Sequence, residues 1–221
     1  VTAIARLLDH VVIAGPDLAE LVAWFAGRTG VTAAPGGVHP RGTANALIAF
    51  TVAGRRGPHY LELIGPDPAS PAAGSGQAAR PDTFGIAALD RPTIVTYAVH
   101  PDGIDGVVAA SRRAGYDPGD VADLSRTTPD GTLLEWRLAR REDRFEVPFL
   151  IDWGDTAHPG LADLPTLEIL AWQRIEPDPE PTRSAIRALG LDPADAAELI
   201  TGEPAGYRLT VAGPDGEPVE F

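Results

Sequence analysis

One pattern recurs three times along this chain of 221 residues, and it limits the fold more than any single motif does. Each copy opens with a β-rich run that stops at Pro-Asp, passes into an amphipathic helix closed by glycine, and ends in short strands. In the first copy the run is 7–14 and the stop is Pro16-Asp17. Asp17 with Glu20 three residues on reads as a capping box, and Leu18, Leu21, Val22 and Phe25 recur at helical spacing before Gly27 and Gly30. Residues 46–52 and 59–64 then read as strands. The second copy repeats this with a strand at 92–99, Pro101-Asp102, and helical spacing of Ile104, Val107, Val108 and Ser111 up to Gly115. Strands follow at 121–127, 132–138 and 147–153, the first two joined by Pro129-Asp130-Gly131. The third copy is shorter: a strand at 166–175, Pro177-Asp178, a helix at 182–189, then strands at 198–201, 207–212 and 218–221.

The fold class is therefore α+β, built from repeated β-α-β-β-β modules. The modules are expected at residues 1–68, 92–160 and 161–221, with an Ala/Gly/Ser/Pro-rich linker or mobile loop at 69–91. One such unit covers only one face of its sheet. Two side by side curve mixed sheets around a shared concavity, with helices outside and ligand space inside. The third unit also has a bare face, which must dock on the first two or on a second copy of the chain in a homodimer.

Composition removes whole classes of function. Eighteen basic residues against 31 acidic ones give a net charge of −13, which repels nucleic acid and anionic membranes. No apolar run approaches the roughly 20 residues of a membrane span, and residues 1–9 lack the apolar core of an export signal. The absence of cysteine excludes disulfides and thiolate zinc sites and fits the cytoplasm. Lysine is absent too, so Schiff-base and Walker-type mechanisms are excluded and no nucleotide cofactor is expected. Arginine-only, Ala/Gly/Pro-rich usage suggests a GC-rich bacterial source.

Strand alternation assigns faces. Val11 and Ile13 share one side of the first strand, and Leu61 and Leu63 one side of the fourth; these aliphatic sides should pack on the helix. His10, with Tyr60 and Glu62, then points into the concavity. A buried carboxylate needs a partner, and His10 is the nearest candidate. This pair reads equally as a structural hydrogen bond or as the core of a metal or acid–base site. The loop from Gly36 to Asn45 offers His39, Arg41, Thr43 and Asn45 among glycines that permit close backbone approach, as a pocket rim would. On the strand at 132–138 of the second unit, Glu135 and Arg137 share a face that either lines the cavity or meets water. Trp136 and Trp153 read as core, His59 as structural or exposed, and His158 as a loop residue. Aligning the Pro-Asp stops places Val95 where the first unit has His10. An ungapped match sets Ile151 opposite Glu62, so Asp152 becomes a ligand if the register shifts by one.

The runs Leu8-Asp9-His10-Val11-Val12-Ile13-Ala14, Gly36-Gly37 to Asn45-Ala46-Leu47, Tyr60-Leu61-Glu62-Leu63-Ile64 and Pro148-Phe149-Leu150-Ile151-Asp152-Trp153 resemble glyoxalase-like domains of the vicinal oxygen chelate superfamily, over about residues 7–160. The resemblance implies the glyoxalase/bleomycin-resistance arrangement of paired modules. It implies metal ligands on the first and last strands of each module: His10 and Glu62, with Asp152 from the second. It further implies a divalent zinc, manganese, iron or nickel ion assisting lyase, isomerase or dioxygenase-type chemistry on a small organic molecule. His10 and Glu62 would be catalytic, and His39, Thr43, Asn45, Tyr60 and Arg137 would bind ligand. The alternative is a small-molecule sequestration protein without metal or chemistry.

Overall fold

The computed structural model describes residues 6–67, 69, 81 and 83–221. Most of the expected 69–91 linker lies outside the described residues, as do residues 1–5. Among the described residues there are three α-helices and twelve strands. The first third comprises β1 (Leu8–Ala14), α1 (Leu18–Thr29), β2 (Ala34–Val38), β3 (Thr43–Val52) and β4 (Arg55–Pro66). Then come β5 (Thr93–Val99), α2 (Ile104–Arg113), β6 (Val121–Thr127), β7 (Leu133–Ala139) and β8 (Phe149–Asp152). The last third holds β9 (Thr166–Glu176), α3 (Glu180–Ala188), β10 (Glu198–Thr201), β11 (Gly206–Ala212) and β12 (Pro218–Glu220).

Local chemistry sets the helix ends. The Asp17 carboxylate accepts the Glu20 backbone N–H at 2.9 Å, and Gly30 takes the left-handed conformation, φ 70°, that closes α1. Strand pairing runs β3-β2-β6-β7-β8-β5-β1-β4, and β4 pairs back onto β3, so eight strands close into a barrel-like ring. The two halves meet at two seams. One is the antiparallel β1–β5 pair, in which His10 lies opposite Ala98; the other is a single bridge between Val38 of β2 and Thr127 of β6.

Alternation divides the core as expected. An outer cluster joins Val11, Ile13, Leu61 and Leu63 to Leu21 and Phe25 of α1. An inner cluster joins Val12, Ala14, Tyr60 and Ile64 to Ala98, Phe149, Ile151 and Trp153. The third module docks within the chain. Its β9 runs parallel to β3, Phe221 stacks on Phe25 at 4.8 Å, and Trp172 stacks on Tyr207 at 5.1 Å beside Tyr97.

The Pro35-Gly36-Gly37 stretch, read from sequence as loop, is strand β2. Glycine is a poor strand former, but here the lack of a side chain is what pairing demands. A Cβ on Gly36 would come within 2.3 Å of the Asn45 Oδ1, and one on Gly37 within 2.4 Å of the Thr127 carbonyl.

Candidate functional site

The site begins with an irregularity in β1. Leu8 pairs with Val99 and His10 with Ala98, so Asp9 is an extra, bulged residue. A bulge suspends strict alternation and re-aims side chains, which lets two successive residues meet: Asp9 Oδ1 lies 2.6 Å from His10 Nδ1. Asp9 is fully buried. Its Oδ2 accepts from His100 Nδ1 at 3.0 Å, His158 Nε2 at 2.9 Å and the Trp153 indole at 3.1 Å. Burial alone would push this carboxyl up. The bonds from His10, His100 and His158 overcome that and hold it well below the usual carboxylate range. An ionised carboxylate only accepts, so His10 Nδ1 is the donor, and in the neutral ring Nε2 is left with its lone pair.

Neither His100 nor His158 was legible as part of this site. His158 arrives through the turn Pro159–Leu161, which packs on β4 so closely that a Cβ at Gly160 would approach the His59 backbone to 2.8 Å. Its Nδ1 accepts the Gly160 N–H at 3.0 Å, which fixes the proton on Nε2. The one sequence signal was Asp9 itself, a charge in an apolar strand. His59 is structural, its Nδ1 donating to the Leu8 carbonyl at 2.5 Å.

Across the cavity wall, Glu62 stands on β4 with its Oε2 3.8 Å from His10 Nε2. That is too long for a hydrogen bond and wide enough for an atom held between them. Its Oε1 accepts the Asn45 amide at 2.6 Å. Among the described residues, Asn45 Oδ1 is buried without a hydrogen-bond partner. His39 Nδ1 and Thr43 Oγ1 lie 2.8 Å apart on the β2–β3 hairpin. Burial lowers the His39 pKa, against the pull of Glu62 and with the push of Arg126. Tyr60 stacks on His10 at 4.5 Å; burial, with the charges of Asp9 and Glu62, holds its phenol well above the usual range and so protonated.

These groups line a cavity of about 440 Å³ between the two halves of the ring. His10, Glu62, His39, Thr43, Asn45 and Tyr60 come together there, while Trp136, Leu138, Phe149, Ile151 and Trp153 form the facing apolar wall. Two expected residues stand elsewhere. Arg137 faces outward, because Trp136 and Leu138 take the inner positions of β7; its guanidinium grips Asp105 of α2 at 2.7 and 2.8 Å. Asp152 is likewise turned away beside Arg137, its Oδ1 accepting the Gly154 N–H, and Ile151 occupies the inner position. The register does not shift. Arg126 of β6, which sequence reading passed over, lines the cavity and is 4% exposed.

A resident divalent ion requires three or four protein donors. His10 and Glu62 supply two, and the second module supplies none, since Val95, Ala98 and Ile151 are its apolar residues on the inner side. Among the described residues, one group could hold a metal ion: Asp9, His100 and His158, with ligand atoms within 4.8 Å of one another. An ion there would displace the His158 Nε2 proton and break the Gly160 bond to Nδ1. Neither donor set is ready for a metal as it stands.

No helix of the described residues is long and apolar enough to cross a membrane. No curated protein matches the chain significantly. Among solved structures, a hypothetical protein from Staphylococcus aureus superposes with TM-score 0.62 at 15% identity, over 97% of this chain and 98% of its own. Streptomyces coelicolor methylmalonyl-CoA epimerase in complex with 2-nitronate-propionyl-CoA aligns at 22% identity and TM-score 0.42, over 66% of this chain and 96% of its own. The Mycobacterium tuberculosis methylmalonyl-CoA epimerase aligns at 18% and 0.40, over 68% and 89%. The glyoxalase-like domain family matches residues 8–196. With that match over most of its length, the chain belongs to the glyoxalase-like domain family.

Proposed function

We propose that this protein binds a small organic molecule in the cavity between its first two modules, and that His10 moves a proton on it. One observation carries the reading: a buried carboxylate holds His10 by Nδ1 at 2.6 Å, while Nε2 faces Glu62 Oε2 across a 3.8 Å gap in the cavity wall. A base held by an orienting acid, opposite a second proton-carrying group, is the arrangement general acid–base chemistry requires. His10 Nε2 takes the proton. Asp9 keeps the ring in one tautomer and stabilises the imidazolium that forms. Glu62, steadied by Asn45, faces the same reacting atom, and Tyr60 keeps water from the back of the imidazole by stacking on it. The reaction class is proton abstraction next to a carbonyl, as in isomerases and lyases.

The apolar second-half wall favours a second reading, sequestration without chemistry. Deuterium uptake from heavy water separates the two. A panel of small aldehydes, ketones and 2-oxo acids is incubated with the protein and followed by proton NMR. The catalytic reading expects exchange at the carbon next to a carbonyl in at least one compound, falling about 100-fold or more in His10→Gln. Binding without exchange in either protein would leave only sequestration.

A further inference from the structure

We infer that the ligand is an anion, a carboxylate on an apolar or aromatic body, and that Arg126 is the residue that selects it. This rests on the cavity reading above and names the substrate class for it. Arg126 is buried on β6 and lines the cavity. It donates a hydrogen bond to the Gly36 carbonyl, and among the described residues it has no carboxylate at ion-pair distance. A buried guanidinium has five donors to satisfy, and one backbone carbonyl leaves most of them open.

Other charges also line the cavity. Asp120 binds Arg112 at 2.6 Å and Asp123 binds Arg137 at 3.4 Å; Arg140 holds Glu142 at 2.7 Å through Nη2 while its Nε has no partner among the described residues, and Arg41 is exposed on the β2–β3 turn. Glu62 is the one acid in the wall that lies near enough to pair electrostatically with Arg126, and its Oε1 is taken by Asn45. The backbone is shaped to bring this cation in. A Cβ on Gly37 would lie 3.0 Å from Arg126 Nη1, so the glycine pair of β2 is what admits the guanidinium beside Asn45. Asn45 Oδ1, the buried acceptor without a partner, sits in the same corner and is free to receive an N–H or O–H of the bound molecule. A carboxylate meets a guanidinium fork with two parallel hydrogen bonds, a match no neutral group makes. The apolar wall of Trp136, Leu138, Phe149 and Ile151 takes the rest of the molecule.

The experiment is a matched panel: acetate, butyrate, benzoate and phenylacetate, each against its primary amide, titrated into the wild type, Arg126→Gln, Arg126→Lys and Arg137→Gln by chemical-shift perturbation. In the wild type, at least one acid binds ten times or more tighter than its amide. Arg126→Gln brings that ratio close to one with the thermal midpoint retained, Arg126→Lys restores part of it, and Arg137→Gln, which removes an arginine outside the cavity, leaves it unchanged. Equal binding of acids and amides by the wild type overturns the anion inference and leaves the cavity reading standing. A lower midpoint in Arg126→Gln with the ratio intact also overturns it, since Arg126 would then serve only to tie β6 to β2. If neither acids nor amides perturb the cavity residues, this inference and the cavity reading fall together.

Discussion

The two halves of the ring have the same strand plan and opposite chemistry at the cavity. The first half sends in His10, Glu62, Asn45, His39 and Tyr60; the second sends in Trp136, Leu138, Phe149 and Ile151, with Arg126 as its one buried charge. Duplication preserves backbone pairing, because hydrogen-bonded ladders are indifferent to most side chains. It does not preserve a site, which lives in a few inward positions. Here one half lines the cavity mainly with polar and titratable groups and the other with an apolar wall; in the proposed function the first moves the proton and the second takes the body of the ligand. The first half's carboxylate, Asp9, is buried under four donors, whereas a second-half acid such as Asp123 is largely exposed.

Breaking that contrast at its deepest point gives the largest expected effect. Asp9→Asn swaps an acceptor for an amide whose own N–H meets a donor, and leaves buried imidazoles unpaired. Unfolding stability should fall by about 3–5 kcal/mol, read by urea denaturation. Asp123→Asn, which removes one exposed ion-pair partner of Arg137, should cost under about 1 kcal/mol. Equal costs would mean that the Asp9 cluster is not the keystone of the first half.

Next in size is Gly36→Ala. Its Cβ would overlap the Asn45 Oδ1, so Asn45 must shift and release Glu62. A loss of about 1–3 kcal/mol is expected, with weakened ligand binding. Unchanged stability and binding would show that β2 yields and that Asn45 is not held by this contact.

Ile151→His tests the asymmetry from the other side by giving the second half an imidazole at its inner position. With His10 and Glu62 already present, a third donor should raise zinc affinity tenfold or more, about 1.4 kcal/mol, in calorimetric titration. No gain over wild type would mean that the halves differ in spacing as well as in residue type.

The architecture was legible because it is written in periodic features: Pro-Asp stops, the Asp17 cap, and the alternation that put Leu61 and Leu63 outside and Tyr60 and Glu62 inside. The inward placement of His10 and Glu62 follows from the same alternation. What escaped is what alternation cannot carry. The bulge at Asp9 has no local signature, and its partners His100 and His158 lie 91 and 149 residues away. Arg126 drew no reading, because its burial depends on two glycines in another strand. Arg137 and Asp152 were drawn inward by a charge-seeking reading, although the apolar residues beside them had the better claim to the inner face.

The smallest effect is a pH slope, and it too belongs to the first half, where His39 and His59 reside. Burial is the main cause that lowers both pKa values, so both rings are neutral in the folded protein at pH values where a free histidine takes up a proton. The unfolded chain titrates near about 6.5. For a base whose folded value is depressed, the unfolded state binds more protons in the window between the two values. The neutral rings therefore cost nothing above pH about 6.5, and stability declines as the pH falls through that window, by at most about 1.4 kcal/mol per pH unit for each histidine. His59→Gln should remove its share without touching the cavity, although its bond to the Leu8 carbonyl makes a uniform loss of stability expected as well. His39→Gln should remove the other share and alter ligand binding besides. Unfolding curves collected between pH 7.5 and 5.0 give the slopes. If wild type and double variant decline in parallel, the buried neutral histidines are not what makes the first half sensitive to acid.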